Sequence, residues 1–163
     1  MMTILIAFAL LAGFQHPGMP AGTSHADHLK QMQKDADLKR RGALAMGFDQ
    51  DTTVHHFTTT ATGGTIAVAV RDAADAAGRS AIRAHLKEIA DAFANGDFAK
   101  PLETHGELPP GVPAMQRLAG AIRYRYADTP RGGIVTIATK DPDALKAVHA
   151  FLEYQTREHH VSR

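Results

Sequence analysis

The chain has no cysteine and no tryptophan. Without thiols it can form no disulfide, no thiolate metal site and no cysteine nucleophile. It has almost no net charge: 18 Lys and Arg stand against 17 Asp and Glu, for a formal +1. That balance leaves no electrostatic footprint for nucleic acid, and the one basic cluster, LKRRG at 38–42, is short and local. Long apolar runs are missing too. The longest, Ile4 to Phe14, has 11 residues, whereas a spanning helix needs about 20. The common catalytic templates are also missing: there is no G-x-S-x-G, no H-E-x-x-H and no P-loop. Carboxylates such as Asp72, Asp75, Asp91 and Glu107 are scattered, with no pair spaced for acid–base work. An enzyme is therefore the weaker expectation.

What is present in excess is histidine. There are 10 in 163 residues, in a chain that is 44% hydrophobic and 21% charged. This composition suits one globular domain with a real core. Mostly uncharged at neutral pH, the imidazoles are available as metal ligands. The N-terminal run ILIAFALLAGF matches the apolar region of a secretory signal in length. It lacks a basic residue before it and a clean A-x-A after it. LLAGF has the outline of a lipoprotein box without its cysteine, so lipid anchoring there is excluded. The expectation is an exported, periplasmic protein with no stable membrane span after processing; the plain alternative is a short buried N-terminal helix.

Residues 1–22 divide off as signal segment and start of an arm. Residues 23–46 form an arm rich in His and Met, either flexible or a lightly docked helix capped by Ser24. Residues 47–160 form the folded domain. There TTVHHFTTT and TIAVAVRD alternate as strands around a turn at ATGG. A helix is predicted over 77–95, with Ile82, Leu86, Ile89 and Phe93 as its apolar stripe. A Pro-rich loop, KPLETHGELPPGVP, and a short helix over 113–119 follow. Then come strands AIRYRYADT and IVTIATKD around PRGG, and a last helix over 142–158 with Asp141 as cap and Pro142 at its first position.

The halves echo each other. GGTIAVAVRD at 63–72 aligns with GGIVTIATKD at 132–141, which places Phe57 opposite Tyr126 and His55 opposite Tyr124. The expected fold is α+β: two ββα units forming one four-stranded antiparallel sheet, with helices packed on one face.

Four groups of histidines could carry chemistry. In the arm, His16, Met19, His25, His28 and Met32 lie within 17 residues. Thioether and imidazole together suit copper, and the spacings of three and four place ligands on one side of a helix. The plain alternative is a polar linker. In VHHF the neighbours His55 and His56 must point to opposite sheet faces. His55 shares the face of Phe57 and is nearer the core; His56 is nearer solvent. His85 and His149 lie beside the apolar stripes of their helices. If those helices pack side by side, the two could meet and, with His55, supply three imidazoles, as in open zinc or copper sites. Taken singly, each is more simply a structural histidine. His105 lies in the Pro-rich loop near Met115. The tail histidines His159 and His160 read as complements to a helix C-terminus.

Across MGFDQ, then T, HHF, IRAHL, GDF, P, TH and PPGVP, the chain resembles a family of small exported bacterial proteins of unassigned activity, often found in copper-rich or metal-stress settings. The resemblance covers about residues 42 to 160. It implies an extracytoplasmic domain with His55, His56, His85 and His105 in the family's motifs. Some members carry the label aspartate carbamoyltransferase. This chain is far too short for that enzyme and lacks its carbamoyl-phosphate loop.

The leading expectation is an exported transition-metal protein, most simply a copper buffer, carrier or resistance factor. Its ligands would come from His55, His56, His85, His105, His149, His25, His28 and Met19. Alternatives are a haem or small-molecule binding module, a metal-dependent enzyme of unknown substrate, and an interaction domain whose sheet edge pairs in a homodimer, with zinc or haem as the alternative cofactors.

Overall fold

The structure is a computed structural model and describes residues 24–159. The run read as a signal segment, together with His16, Met19 and His160, lies outside the described residues. The chain runs α1 (His25–Met46), β1 (Thr53–Thr60), β2 (Gly63–Val70), α2 (Ala76–Ala94), α3 (Ala99–His105), α4 (Val112–Arg117), β3 (Ile122–Thr129), β4 (Gly132–Thr139) and α5 (Pro142–Glu158). No helix among the described residues is long and apolar enough to cross a membrane.

The four strands form one antiparallel sheet in the order β1-β2-β4-β3. This is the two-ββα architecture read from the internal echo, and the register confirms it. Phe57 pairs with Ile66 in the first hairpin and Tyr126 with Val135 in the second. The two central strands, β2 and β4, pair antiparallel, Ile66 with Val135 and Gly63 with Ala138. The units are thus related by a local pseudo-two-fold axis between β2 and β4.

Glycine is needed where these strands meet. A side chain on Gly63, which has φ +150°, would strike the carbonyl of Ile137, and one on Gly132 would strike that of Val68. Each hairpin turn also bonds to the far end of the other unit's inner strand. Val70 N–H donates to Arg131 O and Thr139 N–H to Thr62 O, both at 2.9 Å.

Helices cover one face, and they do so crosswise. α2 follows β2 but packs on β3 and β4; α5 follows β4 but packs on β1 and β2. Each helix then secures the hairpin at the far end of the sheet. Arg83 on α2 donates to the carbonyls of Thr129 (2.7 Å) and Gly132 (3.1 Å). His149 on α5 meets those of Thr60 (2.9 Å) and Gly63 (3.1 Å). These are equivalent positions in the two units. Because both acceptors are carbonyls, His149 Nε2 must carry the proton. The expected meeting of His149 with His85 therefore does not occur: one ring clamps the first hairpin, while the other lies deeper on α2.

The sequence pattern also missed α3. Pro101 falls in its first turn, where the absent N–H has no intrahelical partner to lose. Gly106, at φ +73°, ends it. The arm is a helix over 25–46, with a capping box between Ser24 and Asp27. It docks on α3 through Arg41, which donates to the carbonyls of Thr104 (3.0 Å) and His105 (3.2 Å) at the end of that helix.

Replacing His149 with alanine removes the one side-chain donor shared by the Thr60 and Gly63 carbonyls. Urea unfolding is expected to show a loss of about 1–2 kcal/mol with an unchanged m-value.

Candidate functional site

Between α2 and α5, above β1 and β2, the core opens into a cavity of about 60 Å³. Strand alternation supplies its floor: His55 and Phe57 from β1, Ile66 and Val68 from β2. α2 contributes His85, Leu86, Ile89 and Phe93. α5 contributes Phe151, Gln155 and His159, a stripe at spacings of four. α3 closes one side with Lys100, Pro101, Thr104 and His105, and Met46 reaches in from the end of α1.

Four of the ten histidines converge on this cavity. The rings of His55 and His159 lie 5.5 Å apart between centres, nearly parallel at 19°. His159 and His105 lie 5.1 Å apart at 81°. His85 stands one residue further out: the ring of Phe48 touches it at 5.6 Å and touches His55 at 6.0 Å. His55 and His105 are only 8% and 9% exposed, so both side chains have left water.

Burial sets the charge state. It pushes His55 down to about 4, with His85 adding to the shift. It pushes His85 to about 4 as well, against the opposing pull of Glu88. For His159, burial and then the rings of His55 and His105 lower the value to about 3. His105 is lowered by burial, partly offset by its hydrogen bond to Gln155. At neutral pH the cluster is therefore a set of uncharged imidazoles with lone pairs to offer.

Their hydrogen bonds are incomplete. His105 Nε2 meets Gln155 Oε1 at 3.0 Å. An amide oxygen only accepts, so Nε2 carries the proton and Nδ1 carries the lone pair. Among the described residues, no partner reaches His105 Nδ1, His55 Nε2, His159 Nδ1 or the Gln155 amide nitrogen, and all four are buried. An unmet buried polar atom costs about 1–3 kcal/mol. Four around one small cavity need a guest that accepts from or donates to them. As the side chains stand, no three His, Asp or Glu residues among those described are already set around a single point to hold a metal ion.

The remaining sequence candidates lie elsewhere. His56 is exposed on the uncovered face of the sheet, as alternation requires; His25 and His28 are exposed on α1. His149 is the hairpin clamp. Met115 is fully buried in the core. Met19 lies outside the described residues. Two site residues were missed in the sequence. His159 was read as a helix-end charge complement, although Phe151, Gln155 and His159 at intervals of four were a visible inward stripe. Met46 was read as the last residue of the arm and had no periodic signal pointing at the site.

Comparison with protein-family models, with curated proteins and with solved structures returned no match.

The depressed imidazoles make the protein sensitive to acid. The unfolded chain takes up protons near the ordinary histidine value of 6.5, while the folded cluster resists them until about 4. The unfolded state thus binds more protons between those values, and stability falls as pH drops through that window. His55 alone accounts for about 3 kcal/mol by pH 4. Thermal melts at pH 7.5 and 4.5 should show a marked fall in Tm. A His55→Leu variant should show a smaller one; equal falls would mean that His55 does not titrate this way.

Proposed function

We propose that this protein binds a transition-metal ion in the cavity between α2 and α5, with His55, His105 and His159 as ligands. The observation that carries the reading is a set of three buried ring nitrogens without a hydrogen-bond partner, one on each of these histidines, all three of which line the cavity. Neutral imidazole is the commonest protein ligand for zinc, copper and nickel.

Three further features support it. Two imidazoles on a tetrahedral ion have ring centres about 5 Å apart, given metal–nitrogen bonds near 2 Å. The neighbouring pairs here stand at 5.5 and 5.1 Å, so turning rings rather than moving backbone would bring the nitrogens together. His105 already has the outer partner typical of a metal ligand, since its second nitrogen donates to Gln155. The cavity of about 60 Å³ suits an ion with a water molecule. It is far below the roughly 300–1,000 Å³ of sites for larger organic ligands, which counts against haem.

His85, beyond Phe48, is placed to help orient the cluster. The exposed His25 and His28 would act at most as an outer capture point. Combined with the signal-like run at Ile4–Phe14, this supports buffering, delivery or resistance outside the cytoplasm, with copper as the ion. No carboxylate lines the cavity among the described residues.

Competition titrations of Cu(I) and Zn(II) against chelators would test this. The parent is expected to bind one ion per chain. His55→Leu/His105→Leu should weaken binding by at least about 100-fold while keeping a native circular dichroism spectrum. His25→Ala/His28→Ala should leave the affinity nearly unchanged. Undiminished binding in the first pair would remove the cavity from consideration as the site.

A further inference from the structure

We propose that the cavity selects a soft monovalent ion, Cu(I), over Zn(II) and Cu(II), and that the thioether of Met46 completes its ligand set. This rests on the metal-site reading above and specifies the ion for that same site.

The first argument is charge. An ion held by neutral imidazoles brings its full charge into the interior. The electrostatic cost of burial rises with the square of that charge, so a divalent ion costs about four times as much as a monovalent one. A divalent ion held by imidazoles alone must draw its balancing charge from a bound anion such as hydroxide, whereas other divalent sites use carboxylates or thiolates. The chain has no cysteine, and none of the described cavity-lining residues is acidic.

The nearest acids are already engaged. Glu107 accepts from the Tyr154 hydroxyl at 2.7 Å. Glu158 pairs with Lys34 at 3.1 Å. Glu88 lies 3.9 Å from Lys100, whose ammonium is the one charged group on the lining. A cation in the cavity therefore faces lone pairs and hydrocarbon, with a positive charge at the rim.

The second argument is ligand softness. Met46 is the only sulfur on the lining, among the described residues. Thioether ligands discriminate strongly for Cu(I) over Zn(II) and Cu(II). Met46 is also the last residue of α1, followed by Gly47 in the left-handed conformation at φ +74°. The sulfur thus arrives on a helix otherwise held to α3 by Arg41. Occupancy by a soft ion would fasten the end of α1 over the cavity; occupancy by a hard ion would not.

The experiment uses the full chain with Ag(I), a redox-inert monovalent soft ion, and Zn(II). The protein is equilibrated with Ag(I) and a tenfold excess of Zn(II), desalted, and its metal content measured. One Ag(I) per chain with little Zn(II) is expected. Met46→Leu, which conserves volume, should weaken Ag(I) binding by roughly tenfold or more and leave Zn(II) within about twofold.

Preferential Zn(II) occupancy would overturn the inference, as would an equal loss of both ions in Met46→Leu. Silver binding that persists in His55→Leu/His105→Leu would place the ion elsewhere and overturn the cavity reading itself. Absence of binding by either ion in the parent would overturn both.

Discussion

The antiparallel pairing of β2 with β4 is the contact on which the rest of this structure depends. It joins two ββα units that would each leave an apolar sheet face and an unpaired strand edge. The pairing is close because Gly63 and Gly132 present no side chain to the carbonyls opposite them. Once it forms, the pseudo-two-fold axis sends α2 across to β3 and β4, and α5 across to β1 and β2. Arg83 and His149 then secure the hairpins at equivalent points. The valley between the crossed helices follows from this geometry, and the cavity occupies one end of it.

The symmetry stops at the cavity. On the inner face of β1 stands His55; at the matching point of β3 stands Tyr124, packed against Phe93. Only the half that receives α1, α3 and the end of α5 carries the histidine cluster. A stable core gains nothing from enclosing uncharged imidazoles with unmet nitrogens, since apolar side chains of similar size would avoid the desolvation cost. Their presence around a cavity in the core is the physical reason to read them as a site. The same burial that keeps the rings neutral keeps their lone pairs free of protons.

Much of the fold was legible in the sequence. The echo of GGTIAVAV in GGIVTIAT located the inner strands and their common register. The spacing of Ile82, Leu86, Ile89 and Phe93 located α2, and the Asp141–Pro142 pair located the start of α5. α3 was not legible, because proline density reads as loop unless the proline falls in a first turn. Within the site, strand alternation correctly separated His55 from His56, a local property of two neighbouring residues. It could not separate His85 from His149. Both sit beside apolar stripes, and only the crossing of the helices decides which faces the cavity and which reaches a hairpin turn.

Periodicity along the chain therefore determined the elements, their buried faces and the doubled plan, because side-chain direction in a helix or strand depends on position alone. Tertiary structure decided the assembly of the site. His55, His85, His105 and His159 come from four different elements and lie as many as 104 positions apart in the chain. Their approach depends on helix crossing, on the docking of α1 and α3, and on which ring nitrogens are left unpaired after packing. Those quantities arise only when distant surfaces meet, and no local pattern of residues encodes them.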